Sequence, residues 1–248
     1  MPPFEGQAPL PVLSAAASAA SAAAADPGVR DWLLWQLADS AFPSGGFAHS
    51  GGLEAAWQAG EVRSQEELAG YLEAAVEQAG AGSLPFVTGV FAHPRRFAAL
   101  DRRCGGLLLN HVANRASRAQ GQALLLAAAR CFPGGPISGF RAQVQERGDA
   151  GHLAPVFGAL ACPLGLDLAS AQRLFLFLAL RSMVAAAVRL GILGPMDGQA
   201  MQARLAPAAE EVRRRCGRLR PREAAQTAPL LDLWQGAHDR LYSRLFQT

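Results

Sequence analysis

From Leu168 to Leu190 the chain is apolar around most of a helical circumference, with Asp167 standing where a helix N-cap belongs. A helix of that kind must be covered on several sides by other elements. Its most apolar window, Leu174 to Leu193, is broken by Arg181 and Arg189. A membrane-spanning helix needs about 20 consecutive, mostly apolar residues. The stretch therefore reads as the central helix of a soluble protein. What covers it must be helical too. Alanine and leucine dominate, β-branched and aromatic residues are few, and no alternating strand pattern or internal repeat is visible. Half of the 248 residues are hydrophobic, enough for a sizeable core. The expectation is an all-α, single-domain helical bundle of roughly ten helices, with a flexible N-terminal tail and a C-terminal interaction arm.

The boundaries follow from composition. Residues 1–26 are a Pro-containing, then Ala/Ser-rich low-complexity segment, expected to be disordered. Residues 27–218 carry the helical domain, and 219–248 a linker and a C-terminal arm. Asp26-Pro27 opens the first helix, and Ser64 to Glu67 has capping-box spacing. Leu107 to Arg130 reads as one long helix. Pro133 to Pro136 is a break, Phe140 to Arg147 a helix, and His152 to Ala161 a compact apolar helix. Gly191 to Gly198 reads as a second glycine corner, followed by a helix to about Cys216 that is bent or split at Pro207. The arginine-rich residues 213–222 read as an exposed linker. The final stretch recovers an apolar pattern with Leu231, Trp234, Leu241, Tyr242, Leu245 and Phe246. Such an end either folds back onto the bundle or orders against a partner.

The least generic stretch is Leu37 to Glu54, a glycine-lined corner between two helices. Phe42-Pro43 ends the first helix, since proline disfavours the α region for the residue before it. Gly45, Gly46, Gly51 and Gly52 permit positive φ or close backbone approach. Leu53 starts the next apolar pattern. Around these glycines stand Asp39, Ser40, Phe47, His49, Ser50 and Glu54, a set that reads as structural first.

Little else points to chemistry. Phosphate-binding loops and a Gly-x-Ser-x-Gly elbow are absent, and the chain has no lysine. The net charge of +3 does not by itself imply nucleic acid. The four cysteines form no Cys-x-x-Cys pair and read as free thiols in a reducing compartment; with no basic start before Arg30, a cytoplasmic protein is expected. Among the five histidines no two lie at i,i+4 spacing. The aromatic stripes Trp32, Trp35, Phe175 and Phe177 read as core. Two rival readings remain: a helical metal-dependent enzyme using His49, His111 and scattered carboxylates, and an RNA binder resting on Arg95, Arg96, Arg102, Arg103 and Arg213 to Arg222.

The corner Gln36 to Ser50 resembles the signature of the urease accessory protein UreF family. Three further stretches agree in order: His152 to Leu166, Ser182 to Gln199, and Pro229 to Phe246. The opening Trp32-Leu33-Leu34-Trp35-Gln36 is more similar to plant or algal members. Departures are Gly52, where a bulkier residue is common, Pro195-Met196 before Asp197-Gly198-Gln199, and Gly236-Ala237 in the tail. The resemblance implies an all-α, non-enzymatic assembly protein that forms a homodimer, binds UreD (also called UreH), recruits and regulates the GTPase UreG, and serves nickel delivery to apo-urease. It implies no bound cofactor, nickel being cargo, and neither nucleic acid nor membrane as partner. On that reading Leu231, Trp234, Leu241, Tyr242, Arg244, Leu245 and Phe246 dock on UreD/UreH. Arg173, Phe177, Arg181, Arg189, Asp197, Gly198 and Gln199 form the dimer and GTPase-facing surface.

Overall fold

A computed structural model describes residues 27–133 and 136–247. The helices are α1 (Pro27–Ala38), α2 (Leu53–Gln58), α3 (Gln65–Gly82), α4 (Leu84–Ala92), α5 (Phe97–Leu107), α6 (His111–Cys131), α7 (Pro136–Arg147), α8 (Leu153–Ala161), α9 (Leu168–Arg189), α10 (Pro195–Cys216) and α11 (Pro229–Ala237). Short 3-10 turns lie at Gly46–Ala48, Pro94–Arg96, Pro221–Glu223 and His238–Arg240. No strand occurs among the described residues, so the fold is all-α. The expected tail, residues 1–26, lies outside them.

The central helix forms as the sequence requires. Asp167 caps α9 by accepting a hydrogen bond from the Ser170 amide at 2.8 Å. Leu174, Phe175, Leu176, Leu180, Val184 and Ala187 are buried along it. It packs against α10, α3, α4, α8, α1 and α2, and against the Gly46–Ala48 turn of the corner. By length and composition α9 could cross a membrane, yet half of its most apolar window is buried inside the bundle. Close crossings depend on missing side chains. A Cβ on Gly158 of α8 would sit 2.4 Å from the Val87 carbonyl oxygen of α4. One on Gly198 of α10 would sit 2.9 Å from Val188 of α9.

Several expectations shift. The second glycine corner is shorter than its sequence suggests. Pro195 starts α10, so Asp197, Gly198 and Gln199 belong to that helix's first turn. Pro207 does not split α10, whose buried Met201, Leu205 and Val212 hold it together across the proline. The long helix begins at His111 rather than Leu107, because the Asn110 side chain accepts from the Val112 and Ala113 amides and caps it. The expected helix at Phe140 starts earlier, at Pro136. Arginine does not make residues 213–222 a continuous exposed linker: α10 runs through Cys216, which is buried with Gly217. Of the aromatic stripes only Phe175 is core; Trp32 and Trp35 are largely exposed, stacked edge-on at 5.2 Å, and Phe177 is at the surface.

A buried aspartate that the sequence does not single out starts α8. Asp101 of α5 accepts from the backbone amides of Gly151 at 2.9 Å and His152 at 2.7 Å. The Ser117 hydroxyl accepts from the Leu153 amide at 3.2 Å and sits 3.3 Å from His152 Nδ1. Orphan N–H groups at a buried helix start are thus satisfied from α5 and α6. Replacing Asp101 by Ala strands these buried donors. A loss of about 2–3 kcal/mol in urea unfolding is expected; a change below about 0.5 kcal/mol would contradict the role assigned here.

Candidate functional site

The corner is built from local chemistry. After α1 ends, Asp39 Oδ1 accepts from the Ala41 amide at 2.7 Å and turns the chain. Gly45, Gly51 and Gly52 have φ of 75°, 61° and 91°, a region that L side chains rarely adopt. At Gly52 space is also lacking: a Cβ there would lie 2.7 Å from the Gln235 amide nitrogen and 2.9 Å from the Tyr71 hydroxyl. Gln235 belongs to α11, so the corner and the C-terminal segment are in backbone contact.

One carboxylate organises that contact. Glu54, 2% exposed, opens α2 pointing into the protein. Its Oε1 accepts from the Leu245 amide at 2.6 Å. Its Oε2 accepts from the Phe246 amide at 3.2 Å and lies 3.2 Å from Nε2 of fully buried His238. Around this core the Gln247 amide donates to the Ala48 carbonyl at 2.9 Å and Gln58 Nε2 to the Ser243 carbonyl at 3.0 Å. Tyr71 donates to the Gly51 carbonyl at 3.0 Å, and Asn110 Nδ2 to the Asp232 carbonyl at 2.6 Å. The Phe246 ring is buried, with the Arg189 guanidinium 4.3 Å above it while also donating to the Phe47 carbonyl. Of the two expected fates of the C-terminal segment, the chain folds back onto its own bundle.

A polar clamp lies beside it. Asp239 receives Arg115 through two hydrogen bonds of 2.8 and 3.2 Å, His111 Nε2 at 3.1 Å, and Arg244 at 3.7 Å. The Arg115 hydrogen bonds, helped by His111, hold the Asp239 carboxyl down at about 2. His49 is buried; burial foremost, then the positive fields of Arg115 and His238, hold its imidazole down at about 4. Ser50 is wholly buried beside it. His111, weighed above as a metal ligand, is engaged with Asp239. Among the described residues no three His, Cys, Asp or Glu side chains are grouped to hold a metal ion.

The structure thus joins most of the corner to most of the tail. Glu54 meets His238, Leu245 and Phe246, Ala48 meets Gln247, and Arg189 links the Phe47 carbonyl to the Phe246 ring, while the Tyr242 and Leu245 side chains turn to solvent. Arg181 donates to the Ala38 carbonyl and so steadies the end of α1. Arg173 lies elsewhere. It binds Glu210 through two hydrogen bonds at one end of a groove of about 470 Å³ between α9 and α10, which Phe177 and Gln199 also line. Side-chain hydrogen bonds from Arg213 and Arg173 hold the Glu210 carboxyl down at about 2. His238 was legible only as one histidine among five, since no spacing ties it to a glutamate 184 residues away.

These features define a class: an all-α bundle whose glycine corner receives its own C-terminal segment and leaves apolar, tyrosine and arginine side chains facing outward. The sequence model of the UreF family matches residues 62–206. Urease accessory protein F of Arabidopsis thaliana is 41% identical over 219 residues, covering 87% of this chain and 91% of the relative. That coverage leaves too few residues outside the alignment to exclude the corner. The protein of the same name from Oryza sativa subsp. indica is 36% identical over 230 residues, 88% of this chain and 85% of its own length. Urease accessory protein UreF of Arthrobacter sp. (strain FB24) is 32% identical over 215 residues, 87% of this chain and 96% of its own. The chain belongs to the UreF family of urease accessory proteins, and its likeness is to the plant members in particular.

Two outcomes follow from this geometry. Glu54→Gln keeps the shape but halves the acceptors, so the segment after His238 should open to trypsin at Arg240 and Arg244 while the helical circular dichroism persists. Cleavage no faster than in the native chain would contradict the latch. His49 binds its proton less readily folded than unfolded, so the unfolded state takes up more protons as pH falls from about 6.5 to about 4. Stability is therefore full above that window and declines through it, by up to about 3 kcal/mol from this residue. Urea unfolding should show a shallower decline in His49→Gln; an identical slope would contradict the assignment.

Proposed function

We propose that this chain is a non-enzymatic scaffold of urease maturation, which joins UreD/UreH and recruits and regulates the GTPase UreG so that nickel reaches apo-urease. It acts as a homodimer in the cytoplasm, with nickel as cargo of the complex. Membership of the UreF family supports the coarse part of this reading.

One observation carries the finer part. The folded-back segment spends Leu231, His238 and Phe246 on its own attachment and turns Leu230, Leu233, Tyr242 and Leu245 outward. Apolar anchors with tyrosine, flanked by Arg240 and Arg244, have the composition of a protein interface. UreD/UreH is the partner assigned to this face. The α9–α10 face with Arg173, Phe177, Asp197 and Gln199 is assigned to the second subunit and to UreG, with buried Gly198 letting the two helices lie close beneath it. Arg181 and Arg189 act away from that face, by holding the Ala38 and Phe47 carbonyls at the corner.

Substituting the outward residues separates docking from folding. Tyr242→Ala with Leu245→Asp should weaken co-purification with UreD/UreH by at least about thirtyfold, roughly 2 kcal/mol, at unchanged circular dichroism. In a host lacking this gene, the native chain should restore urease activity and the double variant should not. Native-like binding and full rescue by the variant would refute the assignment.

A further inference from the structure

Two arginine runs that are far apart in the sequence meet on one surface. Arg103 of α5 donates through Nε to the Pro221 carbonyl at 3.1 Å, which fastens α5 to the Pro221–Glu223 turn. Pro221 also packs on α4, where a Cβ on Gly89 would lie 2.6 Å from its ring. Arg95, Arg96, Arg102, Arg103, Arg220 and Arg222 are all exposed on these adjoining elements. Two of the acids nearby are occupied. Asp101 is buried under α8, and Glu223 accepts from the Arg220 amide at 2.7 Å. Asp149 sits at the edge in the fields of Arg102 and Arg147. Among the described residues Arg95, Arg96, Arg102, Arg103 and Arg222 form no ion pair.

We propose that this strip is a docking site for an acidic helical segment of a partner protein, laid along α5. Arg96 stands at the N-cap position of α5 and Arg103 follows seven residues later, two turns or roughly 10 Å along the axis. Carboxylates spaced seven residues apart on a second helix repeat at the same distance. Between and beyond these arginines stand exposed Ala99 and Gly106, small enough for a partner helix to come close. The cations are all guanidinium groups, whose planar forks match carboxylates two bonds at a time. Neither α5 nor residues 218–223 offer an exposed aromatic for base stacking or an exposed large apolar side chain for lipid. The site is separate from the corner and its attached tail, and it stands whether or not the urease reading does.

The probe is a fluorescent alanine-rich helical peptide with glutamates at seven-residue spacing, titrated with the full chain at low and near-physiological salt and followed by anisotropy. Arg96→Glu with Arg103→Glu should weaken binding by at least about tenfold, and Arg95→Glu with Arg102→Glu, which leaves the Pro221 contact intact, by a similar factor. Arg204→Glu with Arg214→Glu, exposed on α10, should change it by less than about twofold. A peptide carrying arginine at the same positions should bind the Arg96→Glu, Arg103→Glu chain better than the native one. No binding of the glutamate peptide at low salt would overturn the proposal, as would equal weakening by the α10 pair or equal binding of a scrambled peptide. Displacement by single-stranded RNA or phosphatidylserine vesicles at matched charge would overturn it in favour of those ligands.

Discussion

The attachment of the C-terminal segment depends on one buried carboxylate. Glu54 is out of water, and a carboxylate there is tolerable only if its lone pairs are taken up. Two backbone amides and one imidazole do so, and all three belong to residues 238–246. Removing the donors would leave an uncompensated buried charge, a change that costs several kcal/mol in comparable settings. The corner and the tail therefore stand or fall together. The glycines of the corner have a matching role, since at Gly52 any side chain would strike the backbone of α11. A stretch that reads as a glycine-lined corner is better described as a receptor for the chain's own end.

That arrangement explains how an apolar terminus can be both attached and available. Phe246 and His238 are buried as attachment, and the residues between them are exposed except for half-buried Leu241. A partner that binds the outward set meets a surface already ordered, so less conformational entropy is lost on docking. Arg189 contributes from beneath by holding the Phe47 carbonyl and covering the Phe246 ring at once.

Much of the fold was legible in the sequence, because periodicity and caps act locally. The central helix, its Asp167 cap, the capping box at Ser64 and the corner at Leu37 to Glu54 all follow from residues within a turn or two of one another. What was not legible depends on contacts across the chain. Asp101 caps a helix 50 residues later, and Glu54 meets His238 and Phe246 from opposite ends of the sequence. The α10 start at Pro195 is an intermediate case: a glycine-rich stretch looked like a loop, yet a proline in the first turn made it a helix start. Arg181 and Arg189 were the hardest to read, since they look like surface charges until their carbonyl acceptors are seen.

Amide hydrogen exchange at Leu245 and Phe246 tests the central claim most directly. If Glu54 holds the segment, these two amides should exchange slowly, protected to within about tenfold of the α9 core amides, and should lose that protection in Glu54→Gln while α9 keeps its own. Exchange in the native chain at the rate of an unfolded peptide would contradict the account.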